Sequence, residues 1–431
     1  MAYHVLARTI TAPEPVSPRT PSETLSVAGI TEPAAPAWIS YGTKDYRKAG
    51  FALFLLGFAS FSLIYCVQPL LPAFAKSFGV SPAESSLALS LTTGLLAFAI
   101  VLAGAFSQAL GRRGLIFAST TLAAILTIIA AIVPSWHALL AARALEGLVL
   151  GGVPAVAMAW LAEEIDPRHL GKAMGLYVGG TAFGAMMGRV GMGLMTEIAS
   201  WHVAMIVLGL FCLASAAGFF FLLPRSRNFV PRPGFDLAFH LGAWAGHLRN
   251  RGLLRLYAIG FLLTSVFVTL FNYSTFRLSG APYNLSQTAV SMIFLAFGFG
   301  IVSSSVAGAL ADRFGRRILL VTGFLSMAAG IVLTLFSSLI VIGAGIALVA
   351  TGFFIGHSVA SSSVGPLAGV SKGHAASLYL LFYYMGSSVI GSVGGWFWQL
   401  GGWPAIASFT GAFALAGVAF AVTLPMARKT G

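Results

Sequence analysis

Charge is what this chain has least of. Only 9% of its 431 residues are Asp, Glu, Lys or Arg, against roughly a quarter in a soluble domain. With 58% hydrophobic residues it lacks the polar surface to cover a water-soluble globule of this size. The composition therefore excludes an ordinary soluble domain and points to a protein that crosses a bilayer several times. Cysteine is nearly absent. Cys66 and Cys212 both sit inside apolar runs, which excludes a disulfide framework and zinc-type spacing. There is no Gly-Lys-Ser/Thr phosphate loop, which argues against an ATP-driven pump. There is no nucleophile elbow or metal-ligand cluster either, so no enzyme activity, cofactor or metal is expected. Acidic residues number 12 against 25 basic ones, a net charge of +13. That excess does not indicate nucleic acid, because the basic residues lie between apolar runs, where membrane topology accounts for them.

What is present is a series of twelve apolar runs: 49–75, 84–109, 114–133, 136–163, 170–196, 201–223, 253–277, 287–310, 316–336, 339–365, 372–400 and 402–425. Each is near or above the ~20 residues needed to span a bilayer as a helix. Their length and lack of strict alternation favour helices over barrel strands. With the N-terminus in the cytoplasm, 21 of the 25 Lys and Arg residues face inward, Lys76 and Arg277 fall outside, and Arg143 and Arg189 lie within the membrane. The expectation is an all-α membrane protein with 12 transmembrane helices in two pseudo-symmetric six-helix bundles and both termini cytoplasmic. Residues 1–48, with six prolines before position 40, read as a flexible cytoplasmic tail and not a secretory signal. The first bundle covers 49–223, a cytoplasmic linker 224–252, the second bundle 253–425, and a short cytoplasmic tail 426–431.

The two halves echo each other. The spacing of Gly104, Gly111, Arg112 and Arg113 recurs at Gly308, Gly315, Arg316 and Arg317, an offset of 204. Gly180 and Gly188 correspond to Gly386 and Gly394, an offset of 206. Duplicated six-helix halves suit a transporter with a central site between them. Twelve spans, a long central loop and the paired loops resemble the major facilitator superfamily, whose signature loop "GALADRFGRR" from Gly308 matches almost completely. The resemblance covers about 49–425. "RALEGLVLGG" is similar to the fourth-span motif of that superfamily's proton-coupled drug and metabolite exporters. "GAMMGRVGMG" resembles bacterial inner-membrane exporters of the arabinose-efflux-permease type. Three positions depart from the pattern: Gln108 stands where the first loop has Asp, Ala109 where it often has a basic residue, and Gly188-Arg189 stands where the fifth-span antiporter motif has Gly-Pro.

The resemblance implies a secondary active transporter in the cell inner (plasma) membrane, moving a small-molecule organic solute by alternating access, with proton-coupled efflux as its mode. It implies partners limited to substrate, proton and lipid bilayer, with the chain a monomer. Two alternatives stay open: uptake or facilitated diffusion of a sugar or metabolite, and a membrane sensor that kept the fold. It also implies that Asp312, Arg313, Arg316 and Arg317, turning at Gly315, latch neighbouring helices in the outward-facing state.

Charges deep in a bilayer are costly and so are functional candidates. Arg143 and Glu146 share a helix face by their three-residue spacing, and a helical rise of ~1.5 Å per residue puts Arg189 at a similar depth. They are expected to form one cluster in which two arginines hold Glu146 ionised. Proton coupling, a fixed ion cluster, and substrate binding by the arginines are the three readings. His357 either relays protons or hydrogen-bonds Ser358, Ser361 or nearby backbone. Gly180, Gly184, Gly188 and Gly191 form a stripe for close helix packing, or for a sliding gate. Tyr65, Gln68, Asn272, Tyr273 and Tyr383 offer the mixed aromatic and hydrogen-bonding surface that an amphipathic solute would meet.

Overall fold

Short polar residues start most of the long helices. Thr43, Ser135, Ser200 and Ser286 each accept a hydrogen bond from the backbone N–H three residues on, and Asn250 accepts two, from Gly252 and Leu253. In a computed structural model of the chain, which describes residues 38–106, 111–228, 237–369 and 371–424, the helices are α1 (Lys44–Tyr65), α2 (Leu71–Phe78), α3 (Pro82–Phe106), α4 (Arg112–Ile132), α5 (Trp136–Leu150), α6 (Val153–Glu164), α7 (Leu170–Ile198), α8 (Trp201–Leu222), α9 (Leu237–Arg249), α10 (Arg251–Ser279), α11 (Gln287–Ser291), α12 (Phe297–Phe314), α13 (Arg316–Leu333), α14 (Leu339–Ala368), α15 (Lys372–Met385) and α16 (Gly391–Val422). Among the described residues ten helical stretches are long and apolar enough to cross a membrane. The pairs α1–α2, α5–α6 and α11–α12 each make one such stretch, as does Lys372–Val422. Within the last, the backbone leaves helical geometry at Gly401 (φ −155°, ψ 20°) and Gly402 (φ 58°, ψ −143°), between the runs read as 372–400 and 402–425. The 29-residue α7, which carries Lys172, Arg189 and Glu197, is a further long helix.

The breaks have local causes. Pro69 lacks an N–H, and α1 gives way there to a 3₁₀ turn at Gln68–Leu70 before α2. Gly151 and Gly152, followed by Pro154, separate α5 from α6. A π-helical turn at Gly386–Ile390 joins α15 to α16. The carbonyls around that turn are taken up by α10: Thr264 donates to Tyr383 O at 2.6 Å, Thr269 to Ile390 O at 3.2 Å and Tyr273 Oη to Gly391 O at 3.1 Å.

Two expectations at the segment ends change. Residues 38–48 are structured rather than part of a flexible tail. The Ile39 side chain is buried, its N–H donates to Glu164 O at 2.8 Å, and its carbonyl accepts from Asp166 N–H at 3.2 Å. An apolar residue with both backbone groups satisfied at the end of α6 has reason to stay there. The expected linker 224–252 contains a helix, α9. The remainder of the expected N-terminal tail and the tail 426–431 lie outside the described residues.

Helix α1 packs on α7 and α8, α4 on α5 and α8, and α3 on α5; further along the chain α10 packs on α14, α15 and α16, and α13 on α14 and α16. The two sets meet where α3 touches α15 and α16 and where α7 touches α11. Glycines set the closest approaches. A Cβ at Gly180 would lie 2.4 Å from Phe54 O, one at Gly184 2.3 Å from Phe58 O, and one at Gly188 2.9 Å from Ser62. Ser62 Oγ also donates to Gly184 O at 3.0 Å. Gly191 does not continue this seam, since a Cβ there would meet nothing within 4 Å. Helix α1 itself ends at Tyr65, one turn beyond Ser62.

The repeated loops share a backbone shape. Gly111 (φ 76°, ψ 133°) and Gly315 (φ 93°, ψ 144°) both precede the first turn of the next helix in a conformation that side chains disfavour. Their charges differ in surroundings. Arg112 forms a two-pronged ion pair with Glu163, and Arg113 donates to Phe220 O while lying over the Phe220 ring. Asp312, Arg313 and Arg316 are exposed, and Asp312 forms no ion pair among the described residues. Gly104 lies near the end of α3 and Gly308 in α12; Gln108 and Ala109 fall outside the described residues.

Candidate functional site

The break in α1 creates the first element of the site. A helix that stops leaves its last carbonyls without intrahelical donors. Arg143, on α5, supplies them: its guanidinium donates to Leu63 O at 3.1 Å and Ile64 O at 2.7 Å, and reaches α3 through Ala88 O at 3.2 Å. The same group pairs with Glu146 at 2.5 Å, and both side chains are fully buried. A cation at a helix C-terminus also meets the favourable end of the helix dipole. Glu146 Oε2 is thereby engaged, and the hydroxyl of Thr127 on α4 lies within hydrogen-bonding reach of the same carboxylate. Thr92 Oγ1 donates to Arg143 O at 2.9 Å, and Gly147 lets α5 approach α3 so closely that a Cβ would lie 2.0 Å from Thr92 O.

Arg189 belongs to a second group. Its Nε donates to Gln68 Oε1 at 2.6 Å and its Nη1 to Ala185 O. The guanidinium lies over the rings of Tyr65 (4.2 Å), Phe297 (4.9 Å) and Phe294 (5.2 Å). Gln68 Nε2 in turn donates to Asn272 Oδ1 at 2.7 Å. The orientation of both amides follows from the arginine. Guanidinium has no acceptor, so Gln68 must present its oxygen to Arg189 and its nitrogen to Asn272. Asn272 must then present its oxygen, which leaves its Nδ2 as a buried donor without a partner. The expected single cluster of Arg143, Glu146 and Arg189 is thus two groups on either side of the α1 break. One arginine, not two, pairs with Glu146, because the side chain of Arg189 runs to Gln68 and the aromatic rings.

The third group is aromatic. His357 Nδ1 lies 3.0 Å from Tyr379 Oη, and its ring is parallel to Phe353 and 4.7 Å from Tyr383. Ser361 meets the His357 carbonyl and not the imidazole, so the hydrogen-bond partner is a tyrosine rather than the expected serines. Tyr383 lies within electrostatic reach of both Tyr65 and Arg189. It keeps partial exposure, as does His357. Tyr273 is fully buried, and its hydroxyl serves the π-helical turn, which removes it from the expected cavity surface. The sequence reading missed Phe294, Phe297 and Thr127. The first two carried a signal in their three-residue spacing at the start of α12; Thr127 carried none.

Hydrogen bonds between the two helix sets gather at one end. Besides Gln68–Asn272, Gln287 Nε2 donates to Pro69 O at 2.5 Å, Thr288 N–H to Glu197 at 2.7 Å, and Ser388 and Ser392 to Ser90 at 2.7 Å each. All lie toward the end holding Phe78, Ile198 and Gln287.

Long apolar helices, loops repeated at an offset of 204, and buried charges and amides at the junction of two helix sets define a polytopic membrane transporter rather than an enzyme. The chain belongs to the Major Facilitator Superfamily, whose profile matches residues 53–303. It is 45% identical over 362 residues to the uncharacterized MFS-type transporter YybF of Bacillus subtilis, covering 84% of this chain and 89% of that protein. It is 43% identical over 376 residues to the inner membrane transport protein YnfM of Escherichia coli, covering 86% and 89%. Among solved structures it shares its fold with a point mutant of the nucleoside transporter NupG, with a TM-score of 0.71 at 15% identity over 86% of this chain and 99% of that one.

Proposed function

We propose that the chain exports a small organic solute from the cytoplasm in exchange for protons, as a monomer in a bacterial inner membrane. In this reading twelve spans form two six-helix bundles, 49–223 and 253–425, joined by the cytoplasmic linker 224–252, with both termini inside. The charge asymmetry of the loops and the offset of 204 support that arrangement. Likeness to YnfM supports the inner membrane, and the fourth-span motif supports export. The inter-set hydrogen bonds then lie on the outer side, so the conformation is closed outward. Asp312, exposed and without an ion pair among the described residues, suits a latch that forms only in the outward-open state.

The observation that carries proton coupling is the Arg143–Glu146 pair, fully buried and within reach of the Thr127 hydroxyl. A proton on Glu146 cancels the ion pair and creates a donor next to Thr127. Arg143 keeps its three carbonyl partners throughout, so the change is confined to the α5–α4 contact. Full burial isolates the carboxylate here and assigns its exchange with water to another state of the cycle. Two of those carbonyls, Leu63 O and Ile64 O, support a second reading, in which the pair only caps α1.

The deciding experiment uses purified protein in liposomes with an internal pH dye, an imposed pH gradient and a panel of small organic solutes. Glu146→Gln should keep solute binding and lose solute-induced proton movement. Full gradient dependence in a folded Glu146→Gln variant would leave only the capping role.

A further inference from the structure

Arg143 and Arg189 are both buried, yet only Arg143 has a carboxylate. A guanidinium does not shed its proton in a protein, so burial of Arg189 leaves a full positive charge to be compensated. Its neighbours are neutral: Gln68 Oε1, Ala185 O, and the faces of Tyr65, Phe294 and Phe297. The ring faces offset part of the cost and cannot neutralise the charge. Nη2 of Arg189 forms no hydrogen bond among the described residues, and neither does Tyr383 Oη. Tyr383, half-buried, is within electrostatic reach of Arg189, and its ring lies 4.7 Å from that of His357 and 6.3 Å from that of Phe353. A cation with a free donor, a tyrosine within its electrostatic reach and an aromatic surface beyond make one polar pole and one apolar wall. Orphaned buried donors nearby share the same sign, since Asn272 Nδ2 is unpartnered as well.

We propose that Arg189 anchors the transported substrate and that the substrate is an organic anion, a carboxylate or sulfonate on an aromatic or apolar body. The assignment rests on the transporter reading above and adds its substrate class. The anionic oxygens accept from Arg189 Nη2 and Tyr383 Oη, and the body lies against Tyr383, Phe353 and His357. An organic cation meets like charge in a low-dielectric setting and is rejected.

The test is a charge series on one ring: benzenesulfonate, benzyl alcohol and benzyltrimethylammonium, whose charges do not change with pH. Saturable protection against thermal melting is followed by tryptophan fluorescence of the purified full chain. Benzenesulfonate should protect the wild type, whereas the neutral and cationic probes should not at the same concentration. Arg189→Gln should weaken that protection about tenfold or more, and Arg189→Lys should lose less. Equal protection by all three probes, preference for the cation, no response to benzenesulfonate, or an unchanged response in folded Arg189→Gln would overturn the proposal. The wild-type series decides even if Arg189→Gln does not fold. Liposome flux of the same probes separates the two readings. Gradient-driven movement of the neutral or cationic probe alone keeps the transporter and removes the anion site. Arg189-dependent protection by benzenesulfonate with no flux of any probe keeps the site and removes transport.

Discussion

Gln68 and Asn272 stand 204 residues apart in the chain and 2.7 Å apart in space. The same interval separates Gly111 from Gly315. When a residue touches its own repeat equivalent, the contact lies on the axis relating the repeats, as it does in a symmetric dimer. In the proposed two-bundle arrangement this amide pair marks the point about which the halves turn. It is also the point to which Arg189 is tied.

Removing one amide should therefore cost more than its own bond. Asn272→Leu leaves Gln68 Nε2 buried and unpaired, a loss of about 1–3 kcal/mol. A thermal-melting cycle through Gln68→Leu, Asn272→Leu and the double variant should be non-additive, with coupling of about 0.5–3 kcal/mol. Simple addition of the two single losses would show that the bond carries no energy.

The glycine seam gives a contrast within one helix. Gly184→Ala places a methyl 2.3 Å from Phe58 O and must push α1 from α7, whereas Gly191→Ala meets nothing within 4 Å. The first should lower the melting temperature or abolish folded protein on size exclusion. The second should leave both unchanged.

The sequence made some of this legible and hid the rest for physical reasons. Hydropathy runs and loop arginines reveal long apolar helices because a bilayer imposes length and charge bias on each segment separately. Arg143 and Glu146 could be paired from spacing alone, since a helix fixes neighbours three residues apart. Arg189 gave no hint of its partner, because Gln68 lies 121 residues away on a helix that must first break. Gly191 shows the same limit from the other side: it fits the stripe by angle, but what stands opposite that face is a property of another segment of the chain. The π-helical turn left no pattern, because its carbonyls are satisfied by Thr264, Thr269 and Tyr273 on another helix.

Truncating Arg143 should be severe. Arg143→Met leaves the Glu146 carboxylate buried without its cation and strips donors from Leu63 O and Ile64 O. Breaking a buried pair from one side costs about 3–5 kcal/mol. Adding Glu146→Leu to Arg143→Met should recover only part of the melting temperature, because Ile64 O stays unmatched and Leu63 O keeps only the weak Cys66 S–H donor. Full recovery would mean that α1 needs no cap.

Acid on the outer side should loosen the α7–α11 contact. Glu197, one residue past the expected fifth span, accepts from the Thr288 N–H. The Thr288 side chain and N–H, with Ser286, hold its carboxyl below the ordinary value of 4.5. A lowered folded value means the contact is present at neutral pH and is lost as pH falls below 4.5 and through that lowered value. Energy transfer between two non-titrating dyes attached across α7 and α11 should fall in that window. Glu197→Gln should flatten the response; an unchanged acid profile in that variant would assign it to another group.

Arg143 also imposes an order on biogenesis. The carbonyl of Leu63 waits for a donor 80 residues further along the chain. At a synthesis rate of about 5–20 residues per second, the first span leaves the ribosome roughly 4–16 s before its cap exists. During that interval its broken end has orphan oxygens that lipid cannot serve. The nascent helix must therefore rest where water or the insertion machinery can reach those oxygens. It settles into its final place only when the fourth span arrives.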